Sequence, residues 1–74
     1  MALIAGIDIG NATTEVALAE AGATPAFLAS SIIPTTGIKG TPANLQGIFH
    51  ALTVALEQAG RKLSDVSLIR INEA

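Results

Sequence analysis

Two apolar runs, residues 2–9 and 14–20, are separated by only four residues, Gly10-Asn-Ala-Thr13. A connection this short joins strands only as an antiparallel hairpin, because a parallel pairing needs a crossover of a dozen residues or more. The first run is apolar at nearly every position, which is the pattern of a central strand covered on both faces. The second alternates, with Val16 and Leu18 on one side and Glu15, Ala17 and Ala19 on the other. Any fold open to this chain is built outward from that hairpin.

Glu20-Ala-Gly-Ala-Thr-Pro25 reads as a second turn and residues 26–33 as a third strand, with Ser30 and Ser31 facing partly outward. After the loop Pro34-Thr-Thr-Gly-Ile-Lys-Gly40, Thr41 has the chemistry of a helix N-cap and Pro42 that of a first helical residue. Leu45, Ile48, Phe49, Leu52, Ala55, Leu56 and Ala59 recur at helical spacing and define the expected buried face. Gly60 is a natural stop, and Arg61 and Lys62 lie just past it, where the helix dipole favours positive charge. Val66 to Ile71 reads as a buried strand. The order is β-β-β-α-β, an α/β unit with a mixed sheet, and the connection from the third strand to the fourth is long enough for a parallel crossover. A buried strand followed only by Asn72, Glu73 and Ala74 is expected of a piece of a longer polypeptide.

Seventy-four residues bury only about 60% of the surface of the unfolded chain, so a unit of this size is marginal on its own. It contains no cysteine, which removes disulfides and thiolate metal sites and fits a reducing cytoplasm. Four basic and six acidic residues give a net charge of −2, the basic ones form no patch, and two phenylalanines are the only aromatics. Nucleic-acid binding finds no support in this composition. No apolar run approaches the ~20 residues of a membrane helix, and the N-terminus lacks the basic region of a signal peptide.

The chemistry concentrates at the hairpin. Asp8 ends an apolar strand with a carboxylate able to face a metal ion. Gly10 permits close backbone approach or a positive φ. The amides that follow can form an anion-binding concavity, and Thr13 or Thr14 can add a hydroxyl donor. Turn chemistry alone also accounts for Asp, Gly and Asn at such a tip. Elsewhere, Thr35-Thr-Gly-Ile-Lys-Gly-Thr41 fails the P-loop pattern because Lys39 precedes Gly40 instead of following it. It reads as a flexible turn plus a helix cap, or as a loop that reaches a neighbouring domain or ligand. His50 is the only histidine and lies off the apolar stripe, with no second ligand one turn away. No Ser-His-Asp set and no spaced carboxylate pair is present.

Gly6-Ile-Asp-Ile-Gly-Asn-Ala-Thr-Thr-Glu-Val-Ala-Leu18 resembles the first phosphate motif of the actin-like ATPase superfamily, whose first subdomain begins β-β-β-α-β in a ribonuclease-H-like fold. The likeness narrows along Thr35 to Thr41 and Asp65-Val-Ser-Leu-Ile-Arg-Ile-Asn-Glu-Ala74, which are similar to segments of the large subunits of diol or glycerol dehydratase reactivating factors. Residues 20–33 carry least of it. The resemblance implies that residues 1–74 are the N-terminal part of an actin-like ATPase domain. It implies a chaperone-like ATPase that releases damaged cobalamin from an adenosylcobalamin-dependent dehydratase and works with a small subunit. Carried over by position, Gly10, Asn11, Ala12, Thr13 and Thr14 would meet the phosphates of ATP or ADP, and Asp8 would meet Mg²⁺ through water. Asn11 stands where chaperone ATPases carry threonine. The second phosphate motif, the adenosine motif and the groups that position the attacking water would lie beyond Ala74, so no catalytic residue is expected in these 74 and no turnover by them alone.

Two other classes remain open to this sequence. One is an actin-like protein with another client, such as a sugar kinase or a radical-enzyme activator. The other is a small non-enzymatic interaction module that pairs through its sheet edge.

Overall fold

The computed structural model describes residues 2–73; Met1 and Ala74, the two ends of the unit expected over 1–74, lie outside the described residues. The elements are β1 (Leu3–Ile9), β2 (Thr13–Glu20), β3 (Ala26–Pro34), α1 (Pro42–Ala59), a single 3-10 turn (Leu63–Asp65) and β4 (Val66–Glu73). They form one four-stranded mixed sheet in the order β3-β2-β1-β4 with α1 packed on one face. β1 pairs antiparallel with β2 and parallel with β4, and β2 pairs antiparallel with β3.

The pleat sends alternate residues to the two faces. Leu3, Ala5, Ile7 and Ile9 of β1 and Val16 and Leu18 of β2 meet Ile48, Ala51, Leu52, Ala55 and Leu56 of α1 in one buried cluster. The helix begins and ends as its sequence dictates. The Thr41 hydroxyl accepts from the amide of Asn44 at 3.4 Å, and Pro42 follows it. Gly60 takes φ 67°, its amide reaches Glu57 O, and the amide of Arg61 reaches Leu56 O. Those are the two bonds of a Schellman stop, which needs a residue at ease in the left-handed region. The Arg61 guanidinium also lies 2.8 Å from the Glu20 carboxylate and ties the helix end to β2.

Three expectations are corrected. First, β1 is covered on one face only, and Asp8 on the other is exposed. Second, β4 is not buried: Leu68, Ile69 and Ile71 are 43%, 44% and 59% exposed. α1 lies over β2 and β3 and meets β1 only through the side chains of the shared core, so a strand on the far side of β1 gains only an edge contact through Val66. Third, the buried helix face is rotated from the purely apolar stripe. Leu45 and Phe49 are exposed, while Asn44 and Gly47 are buried. The reason is the loop before the helix. Asn44 Nδ2 donates to Thr36 O at 3.0 Å and its Oδ1 accepts from Gly40 N at 3.3 Å, so the buried amide is satisfied. Thr36 packs against Gly47 and donates its hydroxyl to Ala43 O at 2.8 Å. Ser31 likewise turns inward, donating to Ala51 O on the helix.

Gly47 gives a direct test of this packing. A Cβ there would stand 2.2 Å from Thr36 Oγ1, well inside contact distance. Alanine gains about 1 kcal/mol of helix propensity over glycine, but overpacking costs typically ~1–3 kcal/mol and the Thr36 hydrogen bond is lost as well. Gly47→Ala is therefore expected to lower stability by about 1 kcal/mol in urea unfolding, against the sign that helix propensity alone predicts.

Candidate phosphate-binding site

The tip of the first hairpin is closed by a hydrogen bond from Gly10 N to Thr13 O at 2.9 Å. Gly37, Gly40 and Gly60 are the only described residues with positive φ, so this is not a mirror-image two-residue turn. Of the two reasons weighed for a glycine at position 10, close approach is the one in use. A Cβ on Gly10 would lie 2.9 Å from the carbonyl oxygen of Thr13.

The hairpin is held from the side by the loop after β3. Thr35 Oγ1 donates to Gly10 O at 2.7 Å, and Thr35 N donates to Ala12 O at 2.9 Å. Thr35 Oγ1 also lies 3.0 Å from Thr14 Oγ1. Its one hydroxyl proton is on Gly10 O, so Thr14 is the donor in that pair. Thr14 is 1% exposed and belongs to the helix-side interior. Thr13, one residue earlier on the strand, points to the opposite side and carries the exposed hydroxyl of the tip. Asn11 and Ala12 are exposed too, and among the described residues no hydrogen bond engages their amides. The amide of Gly10 is used inside the turn.

Asp8 lies on the open face of the sheet, two residues before Gly10. Its Cα partners are Glu15 on β2 and Asn72 on β4. Asn72 Nδ2 donates to Asp8 Oδ1 at 3.1 Å. An open groove of about 400 Å³ runs past it, lined by Gly6, Ile7, Asp8, Arg70, Ile71 and Asn72. Among the described residues no three His, Cys, Asp or Glu converge as a metal cage. A single exposed carboxylate, held in orientation by a neutral amide, fits a hard cation that keeps most of its waters, as Mg²⁺ does. His50 is exposed and apart from this site.

The structure thus gathers Asp8, Gly10, Asn11, Ala12 and Thr13 at one corner of the sheet and turns the side chain of Thr14 inward. Two further residues touch the site: Thr35, which the sequence offers only as part of a loop able to reach a ligand, and Asn72, which it does not mark. Both reach it through pairing of distant strands, which no local motif reveals.

No protein-family model matches the chain. It is 57% identical, over an alignment 77 positions long, to the propanediol dehydratase-reactivating factor large subunit of Citrobacter freundii. It is 54% identical over 76 to that of Salmonella typhimurium and 57% identical over 77 to the diol dehydratase-reactivating factor large subunit of Klebsiella michiganensis. In each case the alignment takes in 100% of this chain and 12% of the relative. Among solved structures, glycerol dehydratase reactivase superposes with a TM-score of 0.87 at 57% identity, over 97% of this chain and 12% of the other. Diol dehydratase-reactivating factor in its nucleotide-free form superposes with a TM-score of 0.86 at 53% identity, over 100% of this chain and 13% of the other. No helix is long and apolar enough to cross a membrane. From end to end, in sequence and in backbone, the chain matches the large subunits of dehydratase-reactivating factors, across about 12% of their length.

Proposed function

We propose that this chain is the phosphate-binding segment of the large subunit of a dehydratase-reactivating factor, a cytoplasmic, chaperone-like ATPase of actin-like, ribonuclease-H-like fold. The observation that carries the reading is the end-to-end match at 57% identity with reactivase large subunits. The tip geometry agrees with it: exposed residues Asn11 to Thr13 on a braced turn, with an oriented carboxylate beside them. The name of the nucleotide-free relative accords with a nucleotide as the ligand.

In this reading the turn amides and the Thr13 hydroxyl receive the phosphates of ATP or ADP. Gly10 lets the two strands close so tightly that the turn can form, and Thr14 contributes through Thr35. Asp8, steadied by Asn72, would hold Mg²⁺ through water. The ion, when bound, neutralises charge on the phosphates. The adenosine contacts, the second phosphate motif and the groups that position water come from the rest of the polypeptide, since phosphoryl transfer draws on several elements at once. The partners are a small subunit and an adenosylcobalamin-dependent diol or glycerol dehydratase.

The test uses a chimera in which these 74 residues replace the matching stretch of the C. freundii large subunit. The chimera, its small subunit and ATP-Mg²⁺ are incubated with a dehydratase inactivated by cyanocobalamin, and cobalamin release is followed by absorbance. ATP-dependent release is expected. Nucleotide binding without release would move the function to another client of an actin-like protein, and the absence of nucleotide binding would overturn the reading of the hairpin.

A further inference from the structure

The loop Thr35 to Thr41, which is not a P-loop, reaches the hairpin tip through its first residue. Thr35 makes three hydrogen bonds there: its hydroxyl donates to Gly10 O, its amide donates to Ala12 O, and its hydroxyl oxygen accepts from Thr14 Oγ1. Each trans peptide holds its N–H opposite its C=O, and no cis peptide occurs among the described residues. Pinning the carbonyl of Gly10 therefore directs the amide of Asn11 away from Thr35. Pinning the carbonyl of Ala12 directs the amide of Thr13 away in the same manner. One side chain and one backbone group thus set the orientation of two peptide planes.

We infer that Thr35 is the positioning residue of the phosphate-binding turn, pre-setting the amides of Asn11 and Thr13 for an anion; this rests on the phosphate-binding reading of the hairpin. The loop is suited to the task because its next residue is itself fixed. Thr36 O accepts from the buried Asn44 side chain, and the Thr36 hydroxyl donates to Ala43 O, so Thr35 is held from the first turn of α1. An amide pair fixed before the ligand arrives loses little freedom on binding, whereas an unbraced turn must be ordered by the ligand itself. In this proposal Thr35 acts through the turn.

The chimera carrying Thr35→Val or Thr35→Ser tests this. Valine keeps the shape and the backbone amide but loses the hydroxyl, and serine keeps the hydroxyl. Affinities for ADP and for adenosine are measured by calorimetry or competition, with melting curves alongside. Thr35→Val is expected to weaken ADP binding by 10-fold or more, to leave adenosine binding unchanged, and to be rescued to near the unsubstituted value by Thr35→Ser. An equal loss for both ligands, no loss, or no rescue by serine would overturn the assignment of Thr35 and leave the turn's role standing. An unsubstituted chimera that shows no preference for ADP over adenosine would overturn the phosphate reading, and this inference with it.

Discussion

Gly10→Val in the chimera should weaken ATP and ADP binding on the order of 100-fold while leaving most of the fold in place. The added Cβ would stand 2.9 Å from the carbonyl oxygen of Thr13, and that atom is backbone. No side chain can rotate away to relieve it, so the strands must part at the tip. Parting breaks the Gly10 N to Thr13 O bond and moves Gly10 O away from the Thr35 hydroxyl. The turn then presents its amides in no fixed direction. A hydrogen bond to a charged acceptor contributes about 1.5–3 kcal/mol, so two misdirected amides account for a loss of that size. The effect on stability should be smaller, because the core residues of β1 and β2 begin one position in from the tip on either side, at Ile9 and Thr14. Calorimetric titration with ADP and a melting curve separate the two. Parental affinity in Gly10→Val would mean that the phosphates bind elsewhere.

Features set by nearby residues were legible in the sequence. The four-residue gap between two apolar runs admits only a hairpin. Thr41-Pro42 and Gly60 bound the helix because capping chemistry acts within one turn. What escaped depends on partners distant in the chain. The apolar composition of residues 66–71 states that a strand forms but not whether anything lies above it, and α1 stops short of β4. The stripe through Leu45 and Phe49 was drawn by polarity, yet Asn44 is buried because the loop satisfies both ends of its amide. Gly47 is buried because it alone leaves room for Thr36. At the candidate site, Asp8, Gly10, Asn11, Ala12 and Thr13 can be proposed together from sequence because all five lie within residues 8–13. Thr14 was ambiguous with Thr13 until the pleat put them on opposite sides. Thr35 and Asn72 are 25 and 64 residues from the groups they hold, and only strand register brings them there.

Register also exposes a conflict that turns Asp8 into the sharpest test of the site. Asp8 and Glu15 are direct cross-strand partners on the open face, two carboxylates side by side. Such a like-charge pair destabilises a sheet by roughly 0.2–1 kcal/mol. A sequence selected for stability alone would place a neutral or basic residue at one of the two positions, and local rules are broken most often where function requires it. Asp8→Asn removes the charge but keeps the shape, and the new side chain still offers an oxygen to Asn72 Nδ2. The chimera carrying it should melt at the parental temperature or slightly above. Its Mg²⁺-dependent ATP turnover and its release of cobalamin should fall on the order of 100-fold, the upper range seen when a group that acts on a metal through an outer shell is lost. ADP affinity measured without Mg²⁺ should hold or rise, since one negative charge near the phosphates has gone. Activity and stability moving in opposite directions would identify Asp8 as a functional carboxylate. A fall in both would make it a structural residue whose partner is Asn72, and full activity in Asp8→Asn would remove it from the metal site.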